Sequence, residues 1–384
     1  MISATRFLLA CLILLIGITT QTHALETKAR AALVLDYRTG TVLLEKNADK
    51  SLPPASMSKL MTLNMVFEAL EDGRLTLDEE LPVSKHAMSY GGSTMFLNTR
   101  DRVKVEDLIR GVIVLSGNDA CVVLAEALAG SETEFAKSMT ARAKQLGMEN
   151  STFANSNGWP HPNQRMSARD LVILAERLIR EFPQYYGYFA ETEFPFDNRS
   201  PANRYNRNPL LKLGIGADGL KTGHTSEAGY GVVGSATKNG RRVVIMVTGL
   251  GSEEDRALEA EKLVNWAFRQ FVEKKILATG EVVASADIWL GRQPAVDLEV
   301  AQDLTLLLPA AAAKQLRAEI TFLEPIEAPI EKGQQLGVMK ILVPDMAAVE
   351  IPLLAAQSVE KSGFVTKLKL AAALLTKSLM DIVN

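Results

Sequence analysis

The sequence predicts a mixed α/β domain followed by a smaller all-β domain and a C-terminal amphipathic helix. Three observations carry this reading. Helical apolar periodicity alternates with strand-like runs as far as about Glu273; after Lys274 the texture changes to short alternating strands punctuated by Gly and Pro; and the last apolar residues recur on one helical face. The 384-residue chain is 47% hydrophobic and 23% charged, an ordinary globular composition that excludes a disordered chain or a multi-span membrane protein. Its 42 Lys and Arg against 45 Asp and Glu leave a net charge of -3, so no nucleic-acid partner is expected.

The N-terminal segment reads as an export signal. Arg6 precedes an apolar run from Phe7 to Ile18, and Thr22-His23-Ala24 has the small-x-small form of a cleavage site. Residues 1–24 are therefore expected to be removed; the run is short for a membrane span, and an uncleaved anchor is the alternative. Cys11 sits early in the run, a poor setting for lipidation. Cys121 then remains as the single thiol, which rules out an intramolecular disulfide and reads as a buried, inert group. His86, His161 and His224 have no metal-ligand spacing, so neither metal nor cofactor is expected.

The first domain, residues 25–273, opens with a strand at Ala31–Leu35. Leu60, Leu63, Phe67 and Leu70 fall at spacings of three and four and mark a helix. Further helices read over 106–114, 120–128, 132–146 and 167–179. Two strands at 229–237 and 241–250 flank Asn239-Gly240, the dipeptide that supplies the positive φ angles of a tight hairpin. A helix over about 254–271 closes the domain. The second domain, residues 274–360, shows alternation at Val296–Val300 and Leu336–Leu342 and lacks His and Cys. It reads as a structural spacer, with a ligand-binding module as the alternative. In the tail, residues 361–384, Phe364, Leu368, Ala371, Leu375, Leu379 and Ile382 share one face, with Lys361 before the helix and Lys367, Lys369 and Lys377 elsewhere on it. An anionic membrane surface is the expected partner; docking on a protein surface is the alternative.

Three short motifs stand in order: Ser56-Met57-Ser58-Lys59, Ser116-Gly117-Asn118 and Lys221-Thr222-Gly223. Ser-x-x-Lys recurs at Ser235 and Ser358, so context must separate the copies. Ser56 follows Pro53-Pro54-Ala55 at a helix start, where Ser and Lys three apart share a face; Ser235 lies in a strand, where they do not. A serine hydroxyl needs an adjacent base, and a lysine serves as one only when desolvation or a second cation lowers its pKa. Lys221 beside Lys59 would meet that condition, with Ser116 and Asn118 relaying a proton and holding a substrate amide. The N–H of Ser56 and the strand after Lys221 would form an oxyanion hole. Taken singly, each element also fits a helix cap, a surface lysine or a turn. Gly229-Tyr230-Gly231-Val232-Val233-Gly234 matches a dinucleotide fingerprint but lies inside a strand, so no such cofactor is expected.

With their surroundings, Pro54-Ala55-Ser56-Met57-Ser58-Lys59, Ser116-Gly117-Asn118-Asp119-Ala120 and Asp218-Gly219-Leu220-Lys221-Thr222-Gly223-His224-Thr225, the motifs resemble the low-molecular-mass penicillin-binding proteins of the D-alanyl-D-alanine carboxypeptidase type. The resemblance implies a penicillin-recognising serine hydrolase fold of the β-lactamase/transpeptidase kind. It also implies removal of terminal D-alanine from peptidoglycan stem pentapeptides through an acyl-enzyme, inhibited by β-lactams, at the periplasmic face of the inner membrane. It makes Ser56 the nucleophile and Lys59 its base, Ser116, Asn118 and Lys221 the proton and substrate network, and Thr222, Gly223 and His224 the strand along the substrate. Arg256 corresponds to the arginine that meets the substrate carboxylate, a surface pair with Glu253 or Glu254 being the alternative, and Arg207 to a second position near the site. The segment from Asn155 to Asp170 lacks the Glu-x-x-Leu-Asn pattern of class A β-lactamases, which favours slow deacylation. Endopeptidase or β-lactamase activity on the same site, and a non-catalytic wall-binding protein, are the rival readings.

Overall fold

A computed structural model of the chain describes residues 25–199, 201–322, 326–344 and 348–363. The expected export signal at 1–24, and the expected terminal helix from residue 364 onward, lie outside the described residues. Among the described residues no helix is long and apolar enough to cross a membrane.

The first domain is built on a five-stranded antiparallel sheet. Its strands run in the spatial order Val42–Lys46, Ala31–Asp36, Arg241–Leu250, Gly229–Lys238, Ala217–Thr225. The first strand is buried on both faces, and its side chains sort by parity. Ala31, Leu33 and Leu35 join the larger core beneath the helical half, whereas Ala32 and Val34 join a second core closed by the helix Glu253–Gln270. Alternation thus sends one apolar strand into two cores, giving helix, sheet and helix layers. The expected hairpin forms with Asn239 at φ 52° and Gly240 at φ 77°, as its turn requires.

The helical half centres on two helices, Lys59–Glu71 and Asn118–Ala129, which are largely buried. The helices Glu132–Gln145, Ala168–Glu181 and Glu253–Gln270 begin at Ser131, Ser167 and Ser252, whose hydroxyls accept the backbone N–H of Glu134, Asp170 and Asp255. These caps satisfy N–H groups that the first turn leaves unpaired. One expected helix needs correction: over 106–114 the α-helix covers only Val105–Arg110, and a wider π turn, Gly111–Leu115, follows. Gly111 lies so close to Met95 that a Cβ there would stand 2.1 Å from its sulfur. The wide turn delivers Ser116 in a left-handed conformation, φ 61°. The strand expected after Lys221 begins earlier, because Lys221-Thr222-Gly223 lies within Ala217–Thr225.

The all-β domain begins at Phe271 directly after the helix end at Gln270. It contains a six-stranded and a two-stranded sheet around a core that includes Val296, Leu298, Met339, Ile341 and Leu353. The alternation read at 296–300 and 336–342 falls in the strands Ala295–Val300 and Gln335–Leu342. Lys361, the first residue assigned to the tail, still pairs with Gly291.

One buried ion pair ties the sheet to the closing helix. Arg241 donates from Nε to Asp36 at 2.6 Å and through Nη1 to the carbonyls of Ala267 and Phe271 at 3.0 and 2.8 Å. Asp36 Oδ1 also accepts from the N–H and hydroxyl of Thr39. Removing one partner strands the other charge in a dry interior. Asp36→Ala should therefore destabilise the protein by about 3–5 kcal/mol, measured by denaturant unfolding; an unchanged midpoint would show that the pair is not needed.

Candidate active site

Ser56 lies on a short 3₁₀ turn, Ala55–Ser58, that leads into the helix beginning at Lys59. The turn sits against the edge strand Ala217–Thr225, and Gly223 allows this approach: a Cβ there would lie 3.0 Å from the carbonyl of Pro54 and 3.1 Å from the N–H nitrogen of Met57. On another side runs the loop of Asn155–Pro160. Gly158, at φ 84°, packs so tightly on the turn that a Cβ would fall 2.0 Å from the carbonyl of Ala55. Only glycine combines that conformation with that contact.

Lys59 is fully buried. Its Nζ stands 2.9 Å from Ser56 Oγ, 2.8 Å from Asn118 Oδ1 and 2.6 Å from the carbonyl of Asn157. Burial pushes its pKa down to about 8, and the Arg207 charge adds to the fall, against Cys121, Asp119 and Glu132, which raise it. Of the two causes expected, desolvation or a second cation, burial leads and Arg207 is the cation that lowers Lys59, while Lys221 stands in mutual repulsion with it. Lys221 is itself held well below its ordinary value, first by burial, then by the charges of Arg207 and Lys59. Its Nζ donates to the carbonyl of Thr222 at 3.2 Å. Cys121 is buried and its thiol is pushed up to about 12 by desolvation, as expected for an inert group.

Above the lysines opens a cavity of about 500 Å³. Ser56, Ser116, Asn118, Thr222, Gly223, His224, Arg207 and Arg256 line it, so eight of the ten singled-out residues share one wall system, with Lys59 and Lys221 buried beside it. Asn118 is held by donating from Nδ2 to the carbonyl of Gly91 at 2.8 Å. The His224 ring stacks on Tyr230, centroids 3.8 Å apart.

The two arginines form the cationic end. Arg207 donates to Ser93 Oγ at 3.0 Å and to the carbonyl of Leu115 at 2.8 Å. Arg256 is 5% exposed, so it is not a free surface residue, although it does meet Glu253 at 3.3 Å, and its Nε is buried without a partner. Burial lowers the pKa of both, and the charge of Arg256 lowers that of Arg207 further. Such a pair favours an incoming carboxylate. Among the described residues no cluster of His, Cys, Asp or Glu has the form of a metal site.

The resemblance implied that the segment from Asn155 to Asp170 lies over the active site, but the contacts its residues make, and Ser93, were not foreseen. Asn157 supplies a carbonyl to Lys59, Trp159 and Ser93 line the cavity, and Asn155 Oδ1 gathers the N–H groups of Asn157, Gly158 and Trp159 at 3.3, 2.8 and 3.1 Å. Within the sequence itself, Asn155-Ser156-Asn157-Gly158 reads as a turn-forming run that does not reveal what it packs against.

Comparison with known proteins agrees with this geometry. The family model described as D-alanyl-D-alanine carboxypeptidase matches residues 18–251, and that of the penicillin-binding protein 5 C-terminal domain matches 271–361. D-alanyl-D-alanine carboxypeptidase DacC of Escherichia coli (strain K12) is 37% identical over 89% of this chain and 87% of its own. Among solved structures, penicillin-binding protein 5 of Haemophilus influenzae is 32% identical, covers 88% of this chain and 99% of its own, and has a TM-score of 0.72. Penicillin-binding protein D2 of Listeria monocytogenes, in an ampicillin-bound form, is 34% identical over 64% of this chain and 99% of its own, with a TM-score of 0.58. The chain belongs to the D-alanyl-D-alanine carboxypeptidase family, with its serine hydrolase domain followed by the all-β domain of penicillin-binding protein 5.

Proposed function

We propose that Ser56 is the nucleophile through which this serine-type D-Ala-D-Ala carboxypeptidase releases the terminal D-alanine of peptidoglycan stem pentapeptides, with Lys59 as its base. The observation that carries the reading is the environment of Lys59 Nζ. Of its three partners, the Asn118 amide oxygen and the Asn157 carbonyl can only accept. A neutral amine spends its two N–H bonds on them, and its lone pair is left facing the Ser56 hydroxyl. That is the arrangement a base requires.

In the reaction, Ser56 Oγ attacks the carbonyl carbon of the penultimate D-alanine while its proton passes to Lys59. The N–H groups of Ser56 and of the edge strand at His224 receive the developing oxyanion. Collapse breaks the C–N bond, and the departing nitrogen takes a proton relayed through Ser116 from the lysines. Asn118 and the backbone of Thr222 and Gly223 align the peptide, and Arg207, Lys221 and Arg256 hold its terminal carboxylate. Water then hydrolyses the ester and restores Ser56. A β-lactam follows the same first step, but its opened ring keeps the amine tethered; the ampicillin-bound Listeria relative supports this reading.

We infer further that residues 1–24 are removed on export, that residues 25–273 are the catalytic domain, and that residues 274–360 form a pedestal. The Lys-bearing tail at 361–384 would rest on the anionic periplasmic surface of the inner membrane and lift the cavity toward the cell wall.

Two experiments test these readings. D-alanine release from a pentapeptide should show kcat/KM rising with pH through about 8, because protonated Lys59 cannot take the serine proton. Ser56→Ala should lower the rate about 10³-fold or more at every pH; a flat profile or an active variant would reassign the roles. Deleting residues 364–384 should move the protein to the soluble fraction with its catalysis intact, and continued sedimentation with membranes would remove the tail as anchor.

A further inference from the structure

Behind the loop that meets Lys59 lies a buried carboxylate that the catalytic reading does not use. Glu132 is 7% exposed and stands in the first turn of the helix that Ser131 caps, so the positive end of that helix faces it. Its Oε1 accepts from the N–H and hydroxyl of Ser156 at 3.0 and 2.7 Å and from Asn157 Nδ2 at 3.4 Å. Its Oε2 meets the Tyr90 hydroxyl at 2.7 Å and His86 Nε2 at 2.8 Å. The peptide so held has two further ties: the Ser156 carbonyl accepts from the Thr62 hydroxyl, and the Asn157 carbonyl accepts from Lys59. Thr62 and Lys59 are on one helix, one turn apart. Glu132 therefore grips one side of the Ser156–Asn157 segment, and the helix that bears the base grips the other.

We propose that Glu132 is a positioning residue: by anchoring Ser156 and Asn157 it fixes the carbonyl that orients Lys59 Nζ toward Ser56. The argument rests on the assignment of Ser56 and Lys59 above. A neutral lysine with only Asn118 as an acceptor could rotate its lone pair away from the serine; the Asn157 carbonyl removes that freedom. A carboxylate serves the anchor better than a neutral group because it accepts several hydrogen bonds at once, and bonds to a charged acceptor are shorter and stronger. Trp159 extends the effect to the cavity, since its ring meets Tyr90 edge-on at 5.9 Å and lines the substrate space.

Glu132 also contributes charge. The groups facing Lys59 are Cys121 and Asp119 on the helix Asn118–Ala129, Glu132, Arg207 and, on the edge strand, Lys221; those facing Glu132 are His86 and Tyr90. The negative charge of Glu132 raises the pKa of Lys59. Its removal should let Lys59 act as a base at lower pH, an effect that loss of packing alone would not produce.

The test is the rate of acylation of the full chain by benzylpenicillin across pH, with the non-covalent affinity and the melting temperature measured alongside. Glu132→Ala should acylate about 10–100-fold more slowly with little change in the affinity that precedes acylation. Glu132→Gln keeps an acceptor for Ser156 but loses the charge. It should retain the rate within about threefold while its acidic limb moves to lower pH. A wild-type rate and an unmoved limb in both variants would overturn the proposal. So would equal losses in both with an unmoved limb and a lowered melting temperature, the signature of a purely structural residue. If the wild-type protein forms no adduct on Ser56, the functional reading itself falls, a result distinct from either of these.

Discussion

The site depends on keeping a lysine amine out of water. Lys59 is among the largest fully buried side chains of the protein, and a charged ammonium in that position would be strongly disfavoured. The structure meets the constraint with neutral partners rather than with a carboxylate: the Asn118 side chain and the Asn157 carbonyl accept from Nζ, and the Ser56 hydroxyl stands beside it. A carboxylate in contact would stabilise the charged form and disable the base. The nearest acids, Asp119 and Glu132, are engaged elsewhere. Asp119 accepts the N–H groups of Met95 and Leu97, and Glu132 holds the loop.

From this follows the unusual backbone around the cavity. Bringing a serine turn, a π turn, a loop and an edge strand to one lysine leaves little room for side chains between them. Gly158 and Gly223 occupy two close approaches to the serine turn, while Ala55 and Ser116 adopt positive φ angles of 49° and 61°. Non-glycine residues in that region carry local strain, which the surrounding packing must offset. The edge strand completes the design. Because Ala217–Thr225 ends the sheet, one row of its backbone groups is left without a neighbouring strand, where an extended peptide can align.

Much of this was legible in the sequence. The helices at 120–128, 132–146 and 167–179 and the Asn-Gly hairpin came from periodicity and turn chemistry, both local properties. The ordered serine, lysine and asparagine motifs pointed to the residues that now share one cavity. What periodicity did not show was contact across the fold. The strand Ala217–Thr225 has two glycines and a buried lysine instead of apolar alternation, and the π turn at Gly111–Leu115 packs closely on Met95, which is distant in sequence. Glu132 reads as an ordinary first-turn acid of a capped helix; only the structure reveals that it meets a loop 24 residues away. The lowered pKa of Lys59 was anticipated from desolvation or a second cation, and burial is the larger of the two.

The central claim is that burial brings the pKa of Lys59 down to about 8, so that the amine can become a neutral base at a pH where an ordinary lysine is fully charged. The direct measurement is an NMR titration of the lysine side chains in isotope-labelled protein, with the Lys59 resonance assigned by comparison with Lys59→Arg. The account predicts a transition near 8, well separated from the exposed lysines near about 10.4. A Lys59 signal that stays in the ammonium form beyond pH 10 would contradict it, and the proton of Ser56 would then need another acceptor.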